Sequence, residues 1–459
     1  MAIFDIRDHG AAGDGRMNNA PALQHAIDSC HEAGGGTVLV PAGGVFRSGT
    51  IELRSNVELH VERGAVLSAS PHLPAYTAGY RVSAISNGFF DPHSDPVPVF
   101  ITAHDAENVA ITGSGTIEDG GRHFILEDLG LRYRTTEQRP FTIFLVGCRR
   151  VAVRDVKLCD AALWCLRLTG CEDVMVHGVT IDTDMKYPNA DGIDLDRCRR
   201  ARISDCEISC GDDAISLKAC EEFDGYGPTT DIVITGCTLR TTSNAVVVGV
   251  EAAEDIRDVI VSNCVIRSAN RGLSVNLGQG RSFSNILFSD CIVQTRRHDP
   301  SFWGHAEPIY VNCGPWHPND KVGQVRNVRF TNILARGENG AYIGADAPGM
   351  VEGILLDGVR IEVEPGSDWP GGEYDRRPTE TGPEVFAHPT AGIYVDTASD
   401  VTLRDCEVAW TGQAATFGHA LEAVDVQGLV VEGLRGTSGR PGELDAVRTR
   451  QRAAGEERY

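Results

Sequence analysis

Between residues 100 and 435 the chain is written in short runs in which β-branched or aliphatic residues alternate with polar ones, each run closing on Gly, Asn or Asp. Alternation with period two marks half-buried strands, and few stretches here carry the helical period of 3.6. The runs recur. Ala201-Arg202-Ile203-Ser204-Asp205-Cys206-Glu207-Ile208 is followed by Ile232-Val233-Ile234-Thr235-Gly236-Cys237, Val259-Ile260-Val261-Ser262-Asn263-Cys264 and Ile286-Leu287-Phe288-Ser289-Asp290-Cys291, with weaker copies at 328–333, 354–359 and 401–406. Successive cysteines are 31, 27 and 27 residues apart, inside the band that marks solenoids and propellers. A second apolar series lies between the cysteine motifs, at 163–166, 193–195, 215–217, 246–248, 273–275, 309–311 and 393–395. Several short strands per repeat, with no room for crossover helices, must stack in parallel. The expected fold is therefore an all-β parallel β-helix. A propeller is the alternative, but its blades need about 40 to 50 residues each.

The open end of such a stack exposes apolar side chains and unpaired backbone, so a cap is required. Residues 19–33 supply one: Asn19 as N-cap candidate, Pro21 in the first turn, apolar residues at 22, 23, 26, 27 and 30, and Gly34 to Gly36 as the stop. Strands are expected next at 37–41, 49–53 and 57–61. The pattern gives one β-helix domain over residues 1–435 and a loosely ordered tail over 436–459, rich in Arg, Glu and Gly.

Composition narrows the classes. The 459 residues, 42% hydrophobic with 51 Gly, can fill one long core. A formal net charge of −22 argues against nucleic acid or an anionic membrane as partner. No leader peptide and no apolar span of membrane length is legible, so a cytoplasmic protein is expected, or a secreted one whose leader has been removed. Of the 14 cysteines, Cys206, Cys237, Cys264, Cys291 and Cys406 share one repeat position and read as a buried ladder of small apolar side chains. No CxxC pair offers a zinc site, and neither metal nor cofactor is expected.

Candidate chemistry lies in Asn189-Ala190-Asp191-Gly192-Ile193-Asp194 and, about one repeat later, Gly211-Asp212-Asp213-Ala214-Ile215. Asp191 and Asp213 are 22 residues apart, so they can occupy equivalent places on adjacent coils, about 4.8 Å from each other. Paired carboxylates are what glycoside hydrolysis needs, one to protonate the leaving oxygen and one to deprotonate water. Three crowded carboxylates resist full ionisation, which leaves a proton available. Strict alternation would turn Asp191 and Asp213 inward with Ile193 and Ile215, so a turn or bulge before each strand must re-aim them. The alternative is that these Asp residues only cap turns.

Together with Phe4-Asp5-Ile6-Arg7-Asp8-His9-Gly10-Ala11-Ala12-Gly13-Asp14-Gly15, the turn at 33–41 and Ile111-Thr112-Gly113-Ser114-Gly115-Thr116-Ile117, the two acidic motifs resemble glycoside hydrolase family 28, the polygalacturonases, over roughly residues 4 to 435. The resemblance implies a single-stranded right-handed parallel β-helix, Asp212 as general acid, Asp191 with Asp213 activating water, and inversion by a single displacement. Asn189 matches the first residue of the family's Asn-x-Asp motif. The family's Gly-His-Gly and Arg-Ile-Lys segments are replaced here by Ser243-Asn244-Ala245 and by Leu273-Ser274-Val275-Asn276. Loss of the cations that hold a galacturonate carboxylate implies a neutral sugar in the cleavage subsite, or another anchor such as Lys218 or Arg271. An insertion at 301–310 adds Trp303, His305 and Glu307 as candidate sugar contacts. Insertions at 71–98, with Phe89 and Phe90, and at 366–389, with Trp369 and Tyr374, could wall one end of a groove and favour an exo-acting enzyme on imported oligosaccharides. A lyase or uronate epimerase, and a non-catalytic carbohydrate-binding β-helix, are the other classes this scaffold serves.

Overall fold

The computed structural model describes residues 2–82, 95–300 and 302–453; Phe89 and Phe90 lie outside the described residues. The chain divides into two compact units, residues 1–215 with 220–237, and residues 216–219 with 238–459.

In the first unit each coil contributes to three columns of parallel strands. One column runs through Gly36–Val40, Val57–Val61, Glu107–Thr112, Arg149–Arg154, Glu172–His177, Arg199–Ser204 and Thr229–Thr235. Its register stacks Val38, Leu59, Ile111, Val153, Val176, Ile203 and Ile234 into a line of fully buried aliphatics. A second line joins Ile51, Ile101, Ile143, Leu166 and Ile193, and a third Leu67, Ile117, Leu158, Ile181 and Ile208. Each such side chain, fully removed from water, contributes about 1.5–3 kcal/mol, so the lines are the core.

The helix Ala20–Glu32 closes the start of this unit with Ala22, Leu23, Ala26, Ile27 and Cys30 buried, the face the spacing predicts. Asn19 anchors its entry: the side-chain amide donates to the carbonyls of Ala12, Met17 and Arg47 and accepts from the Ala12 N–H. Beyond the helix, Gly36 (φ 159°) comes so close to the first strand that a Cβ would lie 2.5 Å from the Ala2 carbonyl oxygen.

The second unit repeats the scheme. Val261, Phe288, Phe330, Leu356 and Leu403 form one line, and Ile266, Val293, Ala335, Ile361 and Val408 another. In its third column Val311, Ile343, Val395 and Ala423 point inward, while Ser274, Tyr310, Tyr342, Tyr394 and Glu422 make the opposite, outward line. A hairpin of Glu373–Asp375 and Val385–Ala387 lies over that outward line. Tyr374 stacks on Tyr394 at 5.1 Å, and Tyr374, Phe386 and the three tyrosines form one buried cluster.

The corners explain the residue that precedes each cysteine. Asp205, Gly236, Asn263, Asp290 and Asp405 all have left-handed φ, between 48° and 68°, which Gly, Asn and Asp adopt at least cost. Cys206, Cys237, Cys264, Cys291 and Cys406 follow these bends, buried and unbridged, each thiol donating to the carbonyl two residues back. The tail departs from the expectation of loose order. Val447–Arg450 pairs in parallel with Leu421–Val424, and Arg452 bonds both oxygens of Asp396 at 2.7 Å. Polar composition suggested a loose end; the free strand edge and a buried carboxylate recruit it. No helix among the described residues is long and apolar enough to cross a membrane.

Candidate active site

The strand Ile193–Asp196 begins two residues after Asp191, and Ile215–Ala219 two residues after Asp213. Both carboxylates therefore belong to the turns ahead of their strands, where the inward-outward alternation has not started. Asn189 makes the bend with φ 55°. The two turns stack: the Gly192 N–H donates to the Asp213 carbonyl at 2.8 Å and the Ile193 N–H to the Ala214 carbonyl at 3.0 Å. Gly211 has no side chain because a Cβ would lie 2.0 Å from the Tyr187 carbonyl oxygen.

One oxygen from each of Asp191, Asp212 and Asp213 lies within 4.8 Å of the others. Asp191 and Asp213 are 3% and 8% exposed, and Asp212 is the most open of the three. Both oxygens of Asp212 are held by backbone: Oδ2 accepts from the Asn189 N–H at 3.1 Å and Oδ1 from the Asp213 N–H at 3.0 Å. The backbone thus fixes the orientation of the most open carboxyl of the three. An oxygen set of this kind also suits a hard cation.

A residue that the sequence reading passes over supports this turn. Arg139, 5% exposed, donates to the carbonyls of Ala162 (2.8 Å) and Pro188 (2.7 Å) and to Oδ1 of Asn189 (2.9 Å). Beside it Tyr187 sends its hydroxyl to the Gly121 carbonyl at 2.7 Å. The hairpin of Ile125–Asp128 and Tyr133–Thr135 leans on the same loop, Tyr133 bonding Asp184 at 2.7 Å and Asp128 pairing with Lys186.

In the second unit Lys218 is buried, its Nζ 2.6 Å from Glu251. Ser274 donates to Asn244 at 2.9 Å, and Asn312 to Asn276 at 3.2 Å. Arg271, 1% exposed, donates to the carbonyls of Asp375 (2.6 Å) and Arg377 (3.1 Å) and lies 3.8 Å from the centre of the Tyr310 ring. The His305 N–H meets Glu307 at 2.8 Å, with both side chains sealed from solvent. Burial pushes the His305 imidazole down to about 3 and the Glu307 carboxyl upward. Trp303 is half-buried, edge-on to Trp316.

Residues 30–369 match the family described as glycosyl hydrolases family 28. The chain belongs to that family. A probable polygalacturonase of Vitis vinifera is 29% identical over 52% of this chain and 50% of its own length; the chain spans about half the length of the curated relatives it matches. Among solved structures, a hyperthermoactive exopolygalacturonase of Thermotoga maritima has a TM-score of 0.61 at 20% identity, over 95% of this chain and 92% of that one. A Yersinia enterocolitica family 28 exopolygalacturonase has 0.65 at 19%, over 98% and 78%. The shared fold is the right-handed parallel β-helix.

Several candidate contacts of this family 28 chain need correction. Arg271 was a possible carboxylate anchor, but its guanidinium is committed to the backbone of the 373–387 hairpin and to Tyr310. His305 and Glu307 are buried rather than turned to an open face: the His305 ring lies against Trp369, and the neighbouring Gly304 N–H donates to Asp375 of the same hairpin at 2.7 Å. Ser274 stands at the head of that line, joined to Asn244, and Asn276 is bonded to Asn312.

Proposed function

We propose that this family 28 chain is a glycoside hydrolase acting on pectin-related or other plant or microbial oligosaccharides. The observation that carries the reading is the convergence of Asp191, Asp212 and Asp213, one oxygen of each within 4.8 Å of the others, with Asp212 the most exposed. Asp212 delivers the proton to the leaving oxygen; Asp191 and Asp213 draw a proton from the attacking water. Inversion rests on the family resemblance, since inverting carboxylates are usually about 6.5–9.5 Å apart; the anomer first released, read by NMR, decides it.

Exo action is supported by relatives named exo-poly-alpha-D-galacturonosidase and exopolygalacturonase; release of single terminal sugars from a long polymer is expected, and random internal cuts would overturn it. A neutral sugar in place of galacturonate rests on the family resemblance alone, in which Ser274 and Asn276 stand where the family carries cations. A cytoplasmic enzyme trimming imported oligosaccharides fits this reading.

The deciding experiment presents neutral and acidic oligosaccharides to the protein and to Asp212→Asn. Release of a terminal sugar, reduced roughly 10³-fold in the variant as expected for loss of a general acid, supports the proposal. Undiminished release by a folded Asp212→Asn protein overturns it. The same oxygen cluster favours one second reading, a cation-assisted β-eliminating lyase. An unsaturated, ultraviolet-absorbing product abolished by a chelator would select that reading instead.

A further inference from the structure

Of all buried cations in the first unit, Arg139 bears most directly on the three carboxylates. It precedes the strand Phe141–Val146, and its side chain ends among two carbonyls and one side-chain amide. Two of those acceptors, the Pro188 carbonyl and Asn189 Oδ1, are neighbours on the bend that leads into Asp191. The third, the Ala162 carbonyl, belongs to the preceding coil, whose Cys165 N–H donates to the Asp191 carbonyl at 2.9 Å. The guanidinium thus ties the bend to the coil beneath it. A planar fork reaches three such acceptors at once, which an ammonium does not.

We propose that Arg139 is a positioning residue of the carboxylate site: by clamping the 188–189 corner it holds Asn189 in its left-handed bend and keeps the Asn189 N–H on Oδ2 of Asp212. The inference rests on the hydrolase reading above and adds a residue to it. Asn189 takes its left-handed φ at low cost, and Arg139 fixes where that bend sits by bonding it at the Pro188 carbonyl and at Asn189 Oδ1. Displacing the Pro188-Asn189 peptide would release the N–H that holds Oδ2 of the Asp212 carboxyl. Burial opposes the charge on Arg139, while Tyr187, Asp212 and Asp191 act in its favour, so the cation and the acids share one electrostatic environment.

The test uses Arg139→Met and Arg139→Lys in the full chain, on whichever oligosaccharide the wild type cleaves. A positioning role predicts a roughly 10²-fold fall in kcat for Arg139→Met with KM within about threefold, the effect of misplacing a reacting group by about an ångström. Arg139→Lys, which keeps charge but not the fork, recovers only part of the loss. Crystal structures of both variants are expected to show the 188–189 corner relaxed and the Asn189 N–H to Asp212 bond lengthened or lost. The proposal is overturned by wild-type kcat in either folded variant, by a rise confined to KM, or by an unchanged corner. If the wild type cleaves no sugar, the hydrolase reading fails on its own, and the crystal structures still decide whether Arg139 holds the corner. Should Arg139→Met not fold, Arg139→Lys carries both measurements.

Discussion

Asp119 lies next to the clamp just described. Its Oδ2 accepts from the Ala162 N–H at 2.8 Å, and the carbonyl of that same alanine receives Arg139. Burial raises the Asp119 carboxyl from its ordinary 3.8 to about 7. Between those values the folded protein holds a proton that the unfolded chain has lost. The stability this group contributes is full below pH 4 and drains away as pH rises through 7, at up to about 1.4 kcal/mol per pH unit. Asp119→Asn keeps an acceptor for Ala162 and removes the titration. Thermal melts from pH 4 to pH 8 should show the variant gaining on the wild type up to about pH 7 and levelling off above it, with little difference at pH 4; equal curves would mean the carboxyl is not held neutral. At this scale the sequence was uneven. Asp191, Asp212 and Asp213 were legible because two motifs at a repeat-length interval announce stacked turns. Arg139 was not, since one arginine ahead of a strand belongs to no pattern. Arg271 looked like an available cation because nothing local says that Asp375 and Arg377, more than a hundred residues on, will present their carbonyls to it.

At the scale of elements, the 373–387 hairpin is the cover of one outward column in the second unit. Tyr310, Tyr342 and Tyr394 fall in register on the outward side of one column, a face that polar residues would otherwise occupy. The hairpin satisfies them with Tyr374 and Phe386, is bonded by Asn339 to the Glu373 carbonyl at 2.9 Å, and is paired by Arg376 to Asp346. Replacing residues 367–388 with a short Gly/Ser connection should lower the melting temperature, because three tyrosines lose their cover. An unchanged melting temperature would mean that the tyrosines do not depend on the hairpin for cover. The repeat pattern located this insertion but not its landing place, which depends on three tyrosines in three different coils. Strands and corners were more transparent: period two gave the inward lines, and the left-handed φ requirement explains every Gly, Asn or Asp before a ladder cysteine.

For the chain as a whole, the interval between repeats was enough to choose a parallel β-helix, because strands without crossover helices have few other ways to pair. The tail was misjudged for the opposite reason: composition cannot show that Leu421–Val424 leaves an edge for Val447–Arg450 to complete. Among the fourteen cysteines, thirteen are buried, Cys159 is partly so, and none is bridged. The native protein should therefore give a disulfide-exchange dye about one quick equivalent, and yield the others only as coils come apart. Several quick equivalents would contradict the packing. Because the thiols are spread along both units, mass-mapping which cysteine is tagged at each time point would chart where the molecule first lets water in, a built-in record of breathing that needs no engineered probe.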